Sequence, residues 1–475
     1  MIGGLFKSAS RVALIAAAGI LAGGVAAQAA DLGGNCCADL EERVAELEAT
    51  TARKGNRKVS LTVYGQVNEA ILFWDDGEES NAYVVDNNTS RTRFGFRGEA
   101  AINGDLSAGY LLEIGVRFAG SNNRSQLSSA AGGDSNTLDI RHSAWYLQSK
   151  TFGTVWLGET STATDGITEI NLANTAVVAG NDVGNWIGGF IHRLPNGNLA
   201  ATGDFADSLG WGATRSQWNW NVGEGDRKNV VKYVTPTFAG FSVSAAWGED
   251  DFWDVALRYA GEFNGVRVAA GIGYQKLTDF SNADGSGGCA NLGSVHDADV
   301  DCHAVGMSAS VMHMPTGLFL SGAYGWAKDD NRQALFDDPL DGAKVKDKDE
   351  HWYVVGGVER NFFGIGNTTI YGEYFRAETG ASLSAGTARN VGFLSGHTHG
   401  PWWNQTTDNI YITSSDLDVW GFGVVQSIDA AAMDLYIGYR SFSADISTYN
   451  DRHNDHGKIS PKDFQAVMAG AIIKF

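Results

Sequence analysis

Apolar and polar residues alternate along most of the chain after residue 59, which is the pattern of β-strands with two different faces. In the segment 91–102, Phe94 and Phe96 stand on one face, whereas Arg93 and Arg97 stand on the other. The same arrangement recurs in three further segments: 108–118, 266–274 and 433–440. Strands of about ten residues with one apolar and one charged face are typical of transmembrane β-barrels. A soluble barrel would instead place its apolar face inward.

The connections between the predicted strands alternate in length. Short turns occur near 103–105, 264–265 and 363–364. Long polar loops are predicted near 75–90, 121–139, 164–226, 279–301, 329–349, 378–415 and 445–463. Together with a short loop near Asp250, the pattern predicts sixteen antiparallel strands and eight loops. Short turns on one side and long loops on the other favour an outer-membrane barrel.

The longest predicted loop, 164–226, is rich in Gly, Asn and Trp and has no alternation of its own. Because structureless loops of this length are uncommon in compact folds unless they have a function, we predict that this one enters the barrel and narrows its pore. Four tryptophans fall in it: Trp186, Trp211, Trp218 and Trp220. Their packing against the barrel wall is favoured over the stacking of sugar rings on them.

The first 58 residues follow a different pattern. Lys7 and Arg11, the apolar run 12–25 and the small residues that follow predict a signal peptide over 1–29. In the segment 30–58, apolar residues recur at spacings of three and four: Cys37, Leu40, Val44, Leu47 and Thr51. This pattern predicts either a short coiled coil or a lone amphipathic helix, followed by a basic linker. The barrel would then occupy 59–475.

The net charge of the chain restricts its possible functions further. Removing the signal peptide would change the formal net charge from −20 to −22, because it takes away Lys7 and Arg11. An acidic chain is a poor partner for nucleic acid. The charge suits a pore that attracts cations, although it equally suits simple solubility.

Enzymatic interpretations find little support. No carboxylate, His and Ser spacing suggests a catalytic triad, and no nucleotide-binding motif follows a strand. We therefore predict no enzyme activity, no cofactor and no metal site. Cys289 and Cys302 share one predicted loop and are either a disulfide pair or free thiols.

The sequence from Cys36 to Glu48 and the one from Thr51 to Leu61 resemble the N-terminal block of alphaproteobacterial porins. The barrel pattern and the terminal Phe475 fit the same family, so the resemblance covers the whole mature chain. It implies a sixteen-stranded general porin in the bacterial outer membrane, in contact with its lipid and lipopolysaccharide. It also implies a homotrimer and a third loop that folds into the lumen. A terminal aromatic residue resembles the signal read by the barrel-assembly machinery.

In this family a basic wall faces an acidic loop across the pore. By resemblance, the basic wall would comprise Arg91, Arg93, Arg97, Arg117, Arg141 and Arg258. The acidic candidates in the loop are Asp165, Glu169, Asp182, Asp204 and Asp207. Such charged walls set the selectivity of a pore together with its diameter.

The expected function is passive diffusion of small hydrophilic solutes and ions, with a weak preference for cations. Two alternatives stay open at this point. One is a channel selective for a substrate such as a sugar. The other is a structural barrel that tethers the outer membrane to peptidoglycan through Ala30 and Asp31.

Overall fold

The computed structural model describes residues 59–127, 137–200, 209–214, 222–249, 251–278, 301–330, 346–380, 410–450 and 455–475. In these residues, eighteen β-segments form one antiparallel sheet, and its first and last members pair with each other. The signal peptide and the coiled coil predicted for the first 58 residues lie outside the described part of the chain. None of the described helices is long and apolar enough to cross a membrane.

The strands, in chain order, are β1 Thr62–Asp75, β2 Ser80–Asp86, β3 Arg93–Ala101, β4 Leu106–Arg117, β5 Thr137–Ser149, β6 Gly153–Ser161, β7 Arg227–Val234, β8 Phe241–Gly248, β9 Trp253–Phe263, β10 Val266–Leu277, β11 Cys302–His313, β12 Leu318–Asp329, β13 Lys348–Arg360, β14 Thr368–Thr379, β15 Ile410–Ile428, β16 Met433–Asn450, β17 Asp455–Ile459 and β18 Phe464–Lys474. Two short helices are described, α1 Gly184–Ile187 and α2 Trp211–Thr214. Single 3₁₀ turns cover Asn88–Ser90, Ser121–Asn123 and Asp429–Ala431.

Two of the barrel strands are interrupted. β2 pairs with the second half of β1 and β3 with its first half, so β2 and β3 are parts of one strand that breaks at 87–92. β17 and β18 divide the length of β16 in the same way. The eighteen segments therefore form sixteen barrel strands, and the prediction of a closed sixteen-stranded antiparallel barrel is confirmed. Gly65 and Phe475 exchange two backbone hydrogen bonds of 2.9 and 3.0 Å where the ring closes.

The connections follow the predicted asymmetry, with two corrections. The loop predicted near 445–463 is shorter, because β16 and β17 pair up to Asn450 and Asp455. The turn Asn264–Gly265 joins β9 to β10, and both residues have positive φ, as the tightest hairpins require. On the other side of the barrel, the first loop is shorter than predicted. β1 and β2 form a hairpin around residues 76–79, because the alternation continues through most of 75–90. The connection between β6 and β7 is residues 162–226, and it is the third loop on this side.

The apolar face of β16 points outward over the part of the strand next to the short turn and then changes side. In β16, Met433, Leu435 and Ile437 share the outward face, because Asp434 and Tyr436 between them are buried inside. Further along the same strand, Phe442 and Ile446 are buried on the inner face. β15 and β16 contain 19 and 18 residues, more than the nine to eleven that a bilayer needs. We infer that their ends project from the membrane on the long-loop side, where the apolar face turns inward.

Candidate functional site

The third loop enters the barrel through contacts with β9. Asp254 accepts hydrogen bonds from the backbone N–H groups of Ala163 and Thr164, at 3.1 and 2.7 Å. Arg258 donates to the carbonyl oxygens of Ala163 and Asp165, at 2.7 and 2.9 Å. Both side chains are on the inner face of the barrel. One carboxylate and one guanidinium therefore direct the start of the loop into the lumen.

The exit of the loop is tied to its entrance by Glu224. Its carboxyl group accepts from the backbone N–H groups of Gly166 and Thr168, at 3.0 and 2.6 Å, and from the Thr168 hydroxyl at 2.5 Å. Burial raises the pKa of Glu224 well above its usual value, and the nearby Glu169 and Asp165 raise it further. The two ends of the loop are thus joined by one side chain that is shielded from water.

From there the loop crosses the lumen along the inner wall. Its backbone N–H groups at Ile170 and Leu172 donate to Ser308 and Ser310 of β11, at 3.2 and 3.0 Å. Asn174 reaches the far wall, where its N–H donates to Glu359 of β13 at 2.7 Å. On the return path, the loop passes so close to β12 that a Cβ on Gly325 would collide with the carbonyl oxygen of Val222.

The middle of the loop packs against an apolar part of the inner wall. Trp186 and Trp211 expose 0% and 3% of their surface, so both pack as predicted and their rings are not available to a solute. Phe190 lies 5.2 Å from Trp74 and 4.9 Å from Phe464, measured between ring centroids. The wall residues of this cluster come from β1, β2, β11, β12, β13, β14, β15, β16 and β18. Apolar side chains on these inner faces provide the surface on which the middle of the loop packs.

A polar contact fixes the same region of the loop. Arg440 of β16 donates to the carbonyl oxygen of Gly180 at 2.8 Å, and its guanidinium group lies 4.9 Å from the Trp186 ring centroid. Arg440 is itself paired with Glu373 of β14, with 2.8 Å between Nε and Oε1. The apolar packing and this ion pair hold the loop on one side of the barrel.

On the other side of the loop there is an opening with a volume of about 330 Å³. Arg93 and Arg141 line it from the wall, and Glu169 and Asp182 line it from the loop. Residues of β12 and β13 contribute to its rim. Basic groups of the wall and acidic groups of the loop therefore line one water-accessible cavity, which we call the passage.

Glu113 of β4 organises the basic side of this passage. Its Oε1 lies 2.6 Å from the Nε of Arg141 and 3.7 Å from the Nε of Arg93. The register between β4 and β5 shifts next to Glu113, so that β5 contains one additional residue there. Because of this bulge, the adjacent residues Arg141 and His142 both turn toward the lumen. The passage and its immediate wall thus contain two guanidinium groups and three carboxylates.

Residues 12–447 of the chain match the family described as Gram-negative porin. The chain belongs to this family. Among curated proteins, none matches it. Its fold and family place this porin in the bacterial outer membrane, as predicted, whereas the comparisons do not test the narrower resemblance to alphaproteobacterial porins.

Solved outer-membrane proteins share the fold of this porin. An anion-selective porin from Comamonas acidovorans is 16% identical, with a TM-score of 0.50 over 88% of this chain and 100% of the other. OmpF of Salmonella typhi, solved with daunomycin, is 13% identical, with a TM-score of 0.48 over 88% and 98%. The trimer form of OmpT from Vibrio cholerae is 15% identical, with a TM-score of 0.47 over 88% and 99%. At these identities the likeness concerns the fold alone.

The predicted basic residues of this porin are divided among different places. Arg93 and Arg141 line the opening, and Arg258 holds the loop entrance. Arg91 lies in the break between β2 and β3, where it is buried and paired with Asp139 at 2.6 Å. Arg97 is exposed nearer the short turns, 5.5 Å from the Tyr64 ring centroid. The side chain of Arg117 lies outside the described part of the chain.

The acidic residues predicted for the loop also lie in different places. Glu169 and Asp182 line the opening, whereas Asp165 lies at the loop entrance, 4.0 Å from Arg227. Asp204 and Asp207 lie outside the described residues, as does Cys289. Cys302 is disulfide-bonded. Phe475 closes the ring with Gly65, while its role as an assembly signal stays a prediction.

Sequence reasoning missed three residues that position the loop, Asp254, Glu373 and Arg440, and one that organises the basic side of the passage, Glu113. Each is a charged residue on the inner face of a strand, so alternation alone places it in the lumen. Its partner, however, comes from a distant part of the chain. For Arg440 a local signal exists, because the apolar positions of β16 change from odd to even numbers just after it.

Proposed function

We propose that this porin forms a water-filled channel through which small hydrophilic solutes and ions diffuse passively. The observation that carries the proposal is the passage of about 330 Å³ that the third loop leaves beside Arg93 and Arg141. Some closed barrels have a plugged lumen, so the closed barrel by itself does not establish a channel. Here, however, the loop packs against one side of the wall and leaves charged groups facing each other on the other side.

We further propose a weak preference for cations. Two guanidinium groups and three carboxylates stand at the passage, and Arg93 and Arg141 share one of those carboxylates, Glu113. Carboxylates therefore outnumber guanidinium groups at the passage by one, and the whole chain is acidic too, with its net charge of −20. Charged groups at a constriction act strongly on passing ions because little water separates them.

The channel needs no turnover chemistry and no cofactor. We propose that it works as a homotrimer, inserted by the barrel-assembly machinery in contact with outer-membrane lipid and lipopolysaccharide. Outward ion pairs beyond the aromatic positions support a contact with polar headgroups on the long-loop side. Examples are Lys348 with Glu350 at 2.7 Å and Arg376 with Asp418 at 3.0 Å. A tether to peptidoglycan through Ala30 and Asp31 stays a prediction, because both residues lie outside the described part.

Planar-bilayer recording of the purified, folded protein tests this proposal. We expect stepwise, ohmic conductance and a reversal potential that indicates a modest excess of cation over anion permeability. Saturable block of the current by one sugar would instead indicate a substrate-selective channel. The absence of conductance from correctly folded protein would contradict the channel function and leave the structural role.

A further inference from the structure

Two aromatic side chains lie next to each other on the inner wall of the barrel, between the passage and the short turns. Tyr146 of β5 and Trp156 of β6 are directly opposite each other in the register, and their ring centroids are 4.5 Å apart. Their chain neighbours Trp145 and Leu157 are exposed on the outer face, so alternation directs both rings into the lumen. Both side chains are only partly buried there.

The neighbouring strand fixes the position of the Tyr146 ring. A Cβ on Gly109 of β4 would overlap with this ring, so the ring lies directly over the glycine. The Tyr146 hydroxyl group donates to Oε2 of Glu99 on β3, at 3.4 Å. Because one face of the ring lies against the backbone, its other face is left for the lumen. Tyr146 and Trp156 together therefore offer an aromatic surface to a passing solute.

A lysine lies beside this surface. Lys232 of β7 is directly opposite Trp156, and its Nζ is 5.7 Å from the centroid of the Trp156 ring. The ammonium group donates one hydrogen bond to the carbonyl oxygen of Ser161, at 2.5 Å. An ammonium group has three N–H donors, so two of them remain for an anion.

An arginine lies on the other side of the surface. Arg97 and Glu99 are two residues apart on the inner face of β3, or about 7 Å along the strand. The guanidinium group of Arg97 lies 5.5 Å from the Tyr64 ring centroid and forms no ion pair in the described part of the chain. Arg97, Glu99 and the nearby Gln148 are all exposed, so water reaches this part of the wall. Two cations, Arg97 and Lys232, thus stand here against one carboxylate.

We propose that Arg97, Tyr146, Trp156 and Lys232 form a subsite for small aromatic carboxylates, which we call the aromatic subsite. The ring of the solute stacks on Tyr146 and Trp156, and its carboxylate binds the Lys232 ammonium group. Arg97 adds a second positive charge that attracts the anion. The inference rests on the proposed channel, because the subsite lies in the lumen next to the passage.

The charge and the flat rings together select this class of solute. An aliphatic acid supplies the charge but cannot stack, whereas a neutral aromatic compound stacks but has no group for the cations. A solute cation would be repelled by Arg97 and Lys232. The passage has an excess of carboxylates, so the excess of cations at the aromatic subsite is a local property of the wall.

Block of the current through the unsubstituted protein tests the selection of solutes. The three probes are benzoate, cyclohexanecarboxylate of the same charge and similar size, and neutral benzamide. We expect benzoate to decrease the open-channel current saturably, with a half-blocking concentration about fivefold or more below that of either other probe. Equal potency of benzoate and cyclohexanecarboxylate, or of benzoate and benzamide, would overturn the proposal.

Variants of the wall test the residues. Trp156→Leu and Lys232→Met should each raise the half-blocking concentration of benzoate about fivefold, because one removes the stacking contact and the other the cation. Trp156→Phe keeps a ring and should raise it less. The matched control is Trp145→Leu on the outer face of β5, which should leave it unchanged. The same half-blocking concentration in Trp156→Leu and Trp145→Leu would contradict the assignment.

Saturation-transfer NMR of the folded protein in detergent measures the binding of benzoate without any current. A transfer signal from the benzoate ring that Trp156→Leu removes and Trp145→Leu keeps supports the aromatic subsite. Normal conductance of the unsubstituted protein without this signal removes only the subsite. A signal without conductance keeps the subsite and removes the proposed channel.

Discussion

Arg440 and Glu373 form an ion pair in which the two side chains expose only 1% and 3% of their surface. The pair joins β16 to β14 across β15, and the same guanidinium group donates to the carbonyl oxygen of Gly180 in the third loop. Desolvating two charges is costly, so such a pair is weak evidence for stability by itself. Its position indicates another role, because it fixes the middle of the loop that borders the passage.

Replacing Arg440 with methionine tests that role. The change leaves the Glu373 carboxylate buried without its partner, which we expect to cost about 3–5 kcal/mol of unfolding free energy. The Gly180 carbonyl also loses its donor, so we expect single-channel currents with more fluctuation between levels. Thermal unfolding and bilayer recording measure the two effects. The double variant Arg440→Met with Glu373→Gln should recover part of the stability but keep the fluctuating current. Unchanged stability and current in Arg440→Met would contradict this account.

Glu224 gives the loop a predictable pH dependence. Burial, reinforced by Glu169 and Asp165, raises its pKa well above its usual 4.5. The folded state therefore holds a proton that the unfolded chain has already lost, so its contribution to stability is complete below pH 4.5 and is lost as the pH rises through the folded pKa. Glu224→Gln cannot ionise. We expect the melting temperature of this variant to rise relative to that of the unsubstituted protein as the pH increases above 4.5. A difference that shrinks over this range would be inconsistent with a raised pKa.

His192 should give the stability of the protein a pH dependence opposite to that caused by Glu224. Its ring lies 4.3 Å from that of Trp211, and burial lowers its pKa from 6.5 to about 3. The folded loop holds the neutral imidazole, whereas the unfolded chain takes up a proton below pH 6.5. Stability is thus complete above pH 6.5 and falls by about 1.4 kcal/mol per pH unit as the pH decreases toward 3. Unfolding titrations of the unsubstituted protein and of His192→Gln measure this slope. Equal slopes in the two proteins would show that His192 is not responsible.

Alternation in the sequence was sufficient to predict the barrel, its sixteen strands and the position of the long third loop. The prediction from alternation is correct because each strand contacts lipid on one side and water or the loop on the other. It failed for Arg91, because the break at 87–92 removes that residue from the strand and buries it beside Asp139. It also could not show that Arg440 pairs with Glu373, 67 residues away. Such partners are determined by the order of the strands in the closed ring, which a local pattern does not contain.

The charges at the passage should set its selectivity. Neutralising Glu169 and Asp182 together, as Glu169→Gln with Asp182→Asn, removes both loop carboxylates that line the opening. We expect the ratio of cation to anion permeability to fall, since Arg93 and Arg141 then dominate. Arg141→Gln should raise the same ratio, because Glu113 loses its closest cation at 2.6 Å. Reversal potentials in a salt gradient measure both changes. Arg97→Gln, outside the opening, serves as the control with a small effect, and shifts in the reverse directions would contradict the assignment.

If the third loop borders the path of the ions at Asp182, a charged group attached there changes the current. This is tested by modifying Asp182→Cys with a water-soluble, positively charged methanethiosulfonate reagent during single-channel recording. We expect an abrupt decrease of the open-channel current as each passage is modified, and its recovery after addition of a reducing agent. Asp105→Cys in the short turn after β3 should react without changing the current, and the unsubstituted protein should not respond. A current that stays constant after complete modification of the thiol introduced in place of Asp182 would show that ions do not pass beside this part of the loop.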